Sequence, residues 1–346
     1  MVKRIDKQDL EHILEHTAHL WEEVRGQNIF ITGGTGFFGC WLLESFTFAN
    51  DQLNLKSKAL VLSRDPEAFV VKAPHLANHG AVTLLKGDIR SFDFPPGDFP
   101  IVVHAATTAR GRLNQEDPLL MLETIVDGTR RVLEFARSHC TNKLLLTSSS
   151  AVYGRQPPEM THLPEDYPGA PNPMDSDSAY GEGKRAAELL CRLYSQKYGF
   201  EAKVARCFAF VGPYLPLDDH FAIGNFIRDA CRGGPVCVSG DGTPNRSYLY
   251  AADLAIWLWT ILFKGQTCRP YNVGSDRIIT IIELARLVCR LAEPGTEFTV
   301  AKQADSSCRP QRYVPAVDRA RTELGLETWV SLEKGITRTM KFLSSR

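Results

Sequence analysis

The chain has no excess of charge of either sign. Forty basic residues face forty acidic ones, for a formal net charge of zero. A whole-protein cationic footprint for nucleic acid is absent, so no nucleic-acid partner is expected. None of the nine cysteines forms a C-x-x-C pair, which argues against a zinc ribbon or a redox motif, and no metal is expected. An odd cysteine count in a long chain suits reduced thiols in a cytoplasmic enzyme. No run approaches the roughly 20 apolar residues of a membrane span. The most apolar stretch, Leu254 to Phe263, is far shorter and sits behind Asp253. The opening MVKRIDKQDLEHILEH lacks the apolar core of a signal peptide. A soluble cytoplasmic protein with no membrane partner is expected. Hydrophobic residues make up 44% and charged residues 23% of 346, which excludes a disordered chain and fits one or two domains.

What is present is a regular alternation. Leu10, Ile13, Leu14, Thr17, Trp21 and Val24 fall at helical spacing, predicting an amphipathic N-terminal helix over 10–24. Apolar strands are expected at 28–32, 58–62, 82–85, 101–104, 143–147 and 202–207, with long helices at 116–138 and 179–198. Strands alternating with helices imply a Rossmann-type, doubly wound parallel sheet. Three parts are expected. These are a helical extension (1–26), a dinucleotide-binding domain (27–212, with a return near 240–265) and a smaller C-terminal α/β domain (213–346). The loop from 155 to 177 holds six prolines. A loop that long is usually functional or disordered.

Chemistry concentrates at the predicted strand ends. Gly33, Gly36 and Gly39 form G-x-x-G-x-x-G between a strand and a helix. Glycine lets backbone approach a pyrophosphate, and the helix N-terminus offers free N–H groups. At the end of the second strand an acid normally holds the adenosine ribose. Here Ser63 and Arg64 stand there, a pair suited to a 2′-phosphate, so NADP(H) is favoured slightly over NAD(H), although Asp65 is also within reach of a ribose. Asp88 follows the third strand and can accept from an adenine amino group. Tyr180 and Lys184 lie four apart on one helix face. A nearby ammonium stabilises phenolate, predicting a Tyr pKa lowered from about 10. Ser148, Ser149 and Ser150 follow the fifth strand, where hydroxyls face the ligand crevice.

Taken together, ITGGTGFFG, KGDI, VVHAA, SSSAVYG, YGEGK, RCFAFVGP, GDGTPNRSYLYAADLA, YNVG and Arg309-Pro310 resemble the extended short-chain dehydrogenase/reductases, in particular the nucleotide-sugar epimerase/dehydratase branch. The likeness spans roughly 27–343. It implies a catalytic Ser149, Tyr180 and Lys184, with Ser148 the neighbour that spacing alone could confuse with Ser149. It implies cofactor contacts from Gly33, Thr35, Gly36, Phe37, Phe38, Gly39, Ser63, Arg64, Asp88, Ile89, Ala105, Ala106, Tyr180 and Lys184. The expected partner is a nucleotide-diphosphate sugar, held by Ser149, Ser150, His220, Asn225, Arg246 and Arg309, with hydride exchanged at C4. A homodimer is implied through the two long helices, with Val126, Leu133 and 186–193 as its seam.

Departures from the branch shape the functional expectation. Dehydratases carry Asp-Glu where this chain has Ser150 and Ala151, and alanine cannot titrate. The usual Asn of R-x-F-N is Ala209, and the usual Asn of the long helix is Ile125. A 4-ketoreductase or 4-epimerase is therefore expected. One alternative is a 4,6-dehydratase with its acid and base relocated to Glu165 or Asp166. Another is a non-catalytic cofactor-binding sensor on the same fold.

Overall fold

The computed structural model describes residues 3–106, 111–219, 221–305 and 309–344. Six strands form where the apolar runs predicted them: β1 (Asn28–Thr32), β2 (Lys58–Ser63), β3 (Val82–Lys86), β4 (Ile101–His104), β5 (Lys143–Ser149) and β6 (Glu201–Cys207). A seventh, β7 (Pro270–Val273), comes from much later in the chain. All pair in parallel, in the order β7-β6-β5-β4-β1-β2-β3. That is the doubly wound arrangement, whose order reverses between β1 and β4 and opens a ligand crevice at the strands' carboxyl ends. Full burial of β4 explains why it reads as unbroken Ile-Val-Val.

The helices are set by their caps. Helix α1 (Lys7–Thr17) starts where the Asp6 side chain accepts from Gln8 N, and continues as a tight 3-10 segment, Ala18–Val24. Helix α2 (Phe37–Gln52) follows the glycine turn and is buried along most of its length. Helix α3 (Pro118–Ser138) begins with Pro118 behind an Asp117 cap. Helix α4 (Ala179–Tyr198) ends at Gly199, whose left-handed φ of 84° suits glycine. Helix α5 (Ala251–Lys264) holds the most apolar stretch of the chain, buried from Ala251 to Phe263. Its Asp253 is fully buried, accepting from His12 Nε2, Trp329 N and Val330 N. That triple satisfaction lets a carboxylate lie inside an apolar helix. Among the described residues no helix is long and apolar enough to cross a membrane.

The expected parts interlock. The chain returns to the sheet beyond 240–265, running through α5 into β7, because β7 completes the edge beside β6. The N-terminal segment is built into the core: Trp21 packs on Trp259 at 4.9 Å between ring centres, and Asp9 bonds Tyr250. The Pro-rich loop is fixed to the C-terminal segment by Leu163 N to Val314 O and Ala316 N to Leu163 O.

Candidate active site

At the β1 turn, Gly33 has φ +71°, and a Cβ there would stand 2.4 Å from the Ala105 backbone. A Cβ on Gly39 would stand 2.3 Å from Gly33 O and Gly34. Both glycines are required by the fold itself. Gly36 differs: its Cβ would meet only Gly33 O, at 3.3 Å. Gly36 is the N-cap of α2 and has no capping side chain, so the first N–H groups of α2, from Phe37 and Phe38, are left for an anion. This cradle fits a dinucleotide pyrophosphate.

The adenosine end is set by β2 and β3. Ser63 is buried and its hydroxyl accepts from Asp65 N. Asp65 is not turned to a ribose: its carboxylate caps the next helix by accepting from Ala68 N. Arg64 is exposed. Asp88 is held below the usual carboxylate range by Arg90, which bonds it through side chain and backbone, with Arg64 adding a weaker pull. Arg90, which the sequence reading did not single out, adds a second guanidinium beside Arg64. The Ile89 side chain packs on Gly128 in the core, so any contact with cofactor falls to its backbone. Past β4, Ala105 N and Ala106 N bond Thr32 O and Thr32 Oγ1. His104, buried and lowered to about 3 by burial and the Lys184 charge, bridges Thr32 and Thr129 as a neutral ring.

The fifth strand separates its serines by the period-2 alternation of a strand. Ser148 donates to Glu188 Oε1 at 2.6 Å, while Ser149 is hydrogen-bonded to Tyr180. Ser149, not Ser148, is therefore the serine that acts on the tyrosine. Lys184 Nζ donates to Thr147 O at 2.9 Å and lies 5.9 Å from the Tyr180 ring centre. Burial lowers Lys184 to about 8. Tyr180 goes the opposite way from the expectation. Its burial pushes the phenol well above its ordinary value, and the Ser149 bond only partly offsets this. Spacing put Tyr and Lys on one face, but depth decides the sign.

Around them the site is lined by hydroxyls. Ser150 Oγ is hydrogen-bonded to Tyr313 Oη and lies 3.3 Å from Cys207 O. Tyr313 was missed by sequence reasoning, since 163 positions separate it from Ser150. The strand Arg312–Tyr313 pairs with Asn245–Arg246, which places the Arg246 guanidinium 5.8 Å from the Tyr313 ring centre. Arg309 is exposed just ahead of that strand. Asn225 accepts from Arg228, within its own helix, rather than joining the Ser149–Tyr180 group. His220 lies outside the described residues.

Two expectations are corrected. Glu165 and Asp166 are not poised to swing in: the Glu165 carboxylate accepts from Asn272 N, and Asp166 is paired with Arg319. Leu133 is fully buried in the core and cannot form a seam between subunits. A buried network braces the crevice instead. Arg206 forks onto Glu188 and reaches Glu165 O, and Tyr153 Oη donates to Asn272 Oδ1.

A glycine turn on a doubly wound sheet, facing a buried Ser-Tyr-Lys cluster, defines a dinucleotide-dependent enzyme of the Rossmann class. Residues 29–274 match the NAD dependent epimerase/dehydratase family, and the chain belongs to it. It is 30% identical over 318 residues to UDP-glucuronic acid decarboxylase 1 of Xenopus tropicalis, covering 91% of this chain and 72% of that one. Its fold resembles UDP-glucuronic acid 4-epimerase of Bacillus cereus in complex with UDP-glucuronic acid and NAD (TM-score 0.77, 20% identity, 92% of this chain and 99% of that one). It also resembles dTDP-glucose 4,6-dehydratase of Bacillus anthracis in complex with NAD (TM-score 0.73, 22% identity, 92% and 97%).

Proposed function

We propose that this enzyme reduces a 4-keto sugar carried on a nucleoside diphosphate, by hydride transfer at C4. The observation that carries this reading is the company of Tyr180: Ser149, Tyr313 and Cys207, with Ser150 and Ala151 where a dehydratase keeps its acid and base. A bound nicotinamide dinucleotide supplies the hydride. Tyr180 Oη gives its proton to the C4 oxygen as that oxygen gains charge, and Ser149 donates to the same oxygen. A phenol biased towards its protonated form is matched to proton donation. Lys184, anchored on Thr147 O, fixes the ribose side of the cofactor. Arg246 and Arg309 bind the diphosphate.

At the adenosine end, Ser63 replaces the ribose acid and Asp65 is engaged as a cap. Arg90 is paired with Asp88, and the exposed Arg64 is the guanidinium there with no ion pair among the described residues, which favours a 2′-phosphate and NADP(H). A 4-epimerase is the second reading, favoured by the likeness to NAD-bound epimerase folds and by its use of the same three groups. Denaturing the purified enzyme and identifying the released nucleotide by mass spectrometry separates them. An empty site that binds NADPH more tightly than NADH supports the reductase. Stoichiometric NAD, with sugar isomers interconverted and no net redox change, establishes the epimerase.

The enzyme is further proposed to be a homodimer. Leu119 on α3 and Leu189 and Leu193 on α4 remain 64%, 59% and 51% exposed, apolar surface on both long helices that a second α3–α4 pair would cover. Leu189→Glu with Leu193→Glu is expected to halve the mass seen by light scattering.

A further inference from the structure

Helix α1 carries a second constellation, on an element that contributes nothing to the Ser149–Tyr180 group. His12, Glu15 and His16 stand at i, i+3 and i+4, the spacing that brings side chains to one helix face. One ligating atom from each lies within 4.8 Å of the others. The two imidazoles meet edge to face, 4.5 Å between ring centres. Glu15 is exposed and adds a carboxylate at the rim.

Hydrogen bonds fix the protons of both rings. His16 Nδ1 lies 2.9 Å from His12 O, and a carbonyl only accepts, so Nδ1 carries the proton. Nε2 of His16 is then a bare lone pair. His12 Nε2 lies 3.2 Å from Oδ1 of the fully buried Asp253, whose Oδ2 accepts from Trp329 N and Val330 N. The carboxylate accepts from His12 as well, which leaves His12 Nδ1 as the second bare lone pair. Proteins orient metal-binding imidazoles in this way, with the outer nitrogen tied to a carboxylate or a carbonyl and the inner one presented. Trp329 walls the cluster, its ring 4.3 Å from that of His16 and 6.0 Å from that of His12.

Two imidazoles and one carboxylate suit zinc, whereas magnesium and calcium take oxygen donors. A tetrahedral zinc with bonds of about 2.1 Å spaces its donors about 3.4 Å apart, so a modest side-chain adjustment closes the triad. Three protein donors leave the fourth position to water. The lack of C-x-x-C pairs made a metal unexpected from the sequence, but this donor set uses no thiolate.

We propose that His12, Glu15 and His16 form a zinc-binding site that clips α1 onto α5 and the Trp329 segment. An ion on Nδ1 of His12 polarises its Nε2–H towards Asp253, and so tightens a tie that already joins α1 to α5. The site is independent of the proposed function.

The test uses the full-length chain without an affinity tag, stripped with EDTA, dialysed and titrated with zinc chloride by calorimetry. One zinc per chain is expected, at micromolar affinity. Glu15→Ala is expected to weaken it about tenfold, and His16→Phe, which keeps an aromatic ring on Trp329, at least about tenfold. Zinc at about 100 times its Kd is expected to raise the wild-type Tm by about 4 °C, magnesium to leave it unchanged, and neither to move His16→Phe at that zinc concentration by more than about half as much. Melts without metal verify that each variant folds. No zinc binding by the wild type overturns the proposal. So does binding unchanged in either variant, which would place the ion elsewhere, for instance on the exposed thiols of Cys231 or Cys237. Zinc that binds without raising the Tm overturns the clip.

Discussion

Replacing Lys184 by methionine is expected to make the apo-enzyme more stable and catalytically dead. Lys184 is 3% exposed, and burial lowers it from 10.5 to about 8. Each tenfold change in an ionisation constant is worth about 1.4 kcal/mol, so keeping this ammonium charged in the fold costs roughly 3 kcal/mol at neutral pH. Methionine matches the volume and removes the charge. It also leaves Thr147 O without its donor, a loss of about 1 kcal/mol. The net gain is about 2 kcal/mol, or about 3 °C in Tm for a chain of this size. The sign follows from the lowered pKa. Below about pH 8 both folded and unfolded lysine are charged and the penalty is complete. Between about 8 and 10.5 the folded lysine loses its proton first and the penalty fades. The variant's advantage should therefore be full at pH 7 and shrink across that window. Melts of cofactor-stripped wild type and variant, by calorimetry at pH 7 and pH 9.5, read the difference. A variant less stable at pH 7, or an advantage unchanged with pH, refutes the reasoning.

Gly36→Ala should fold normally but lose dinucleotide binding at least about tenfold, because its Cβ meets only Gly33 O; Gly33→Ala should instead fail to fold stably. Circular dichroism and cofactor titration distinguish the two. Ser63→Asp, placing a carboxylate at the ribose, should weaken NADPH about tenfold or more and spare NADH, measured by nucleotide fluorescence. Arg206→Ala leaves the largely buried Glu188 with its Ser148 hydrogen bond but without its cation, and should cost about 3 kcal/mol, read as a lower Tm.

The parallel strands were legible because burial on both faces writes them as unbroken apolar runs, and α4 was legible to the residue. The short edge strand β7, Pro-Tyr-Asn-Val, carries no such run; it is a strand only because β6 lies beside it. The C-terminal helix Leu332–Ser344 does carry a readable pattern, with Ile336, Thr339 and Phe342 buried. It went unread because a Gly and two Thr residues dilute it. In the site, Ser149, Tyr180 and Lys184 were legible because each lies within a short local motif. Tyr313 and Arg90 were not, since their meaning comes from neighbours that the fold brings to them. Glu165 was misread for the same reason: its partner Asn272 lies 107 positions away.

The depth of the cluster ties its chemistry to its stability. Burial pushes Tyr180 towards its neutral phenol and Lys184 towards its neutral amine, so both departures favour an uncharged site. A general base made from such a phenol requires added positive charge nearby, whereas a general acid does not. Under the proposed function, the same burial that makes Lys184 a liability to the fold suits Tyr180 to donating a proton to the sugar oxygen. Removing Ser149, which lowers Tyr180, should accentuate that bias rather than relieve it. The site is asymmetric because of where the chain buries it, and under the proposed function that asymmetry suits a proton donor.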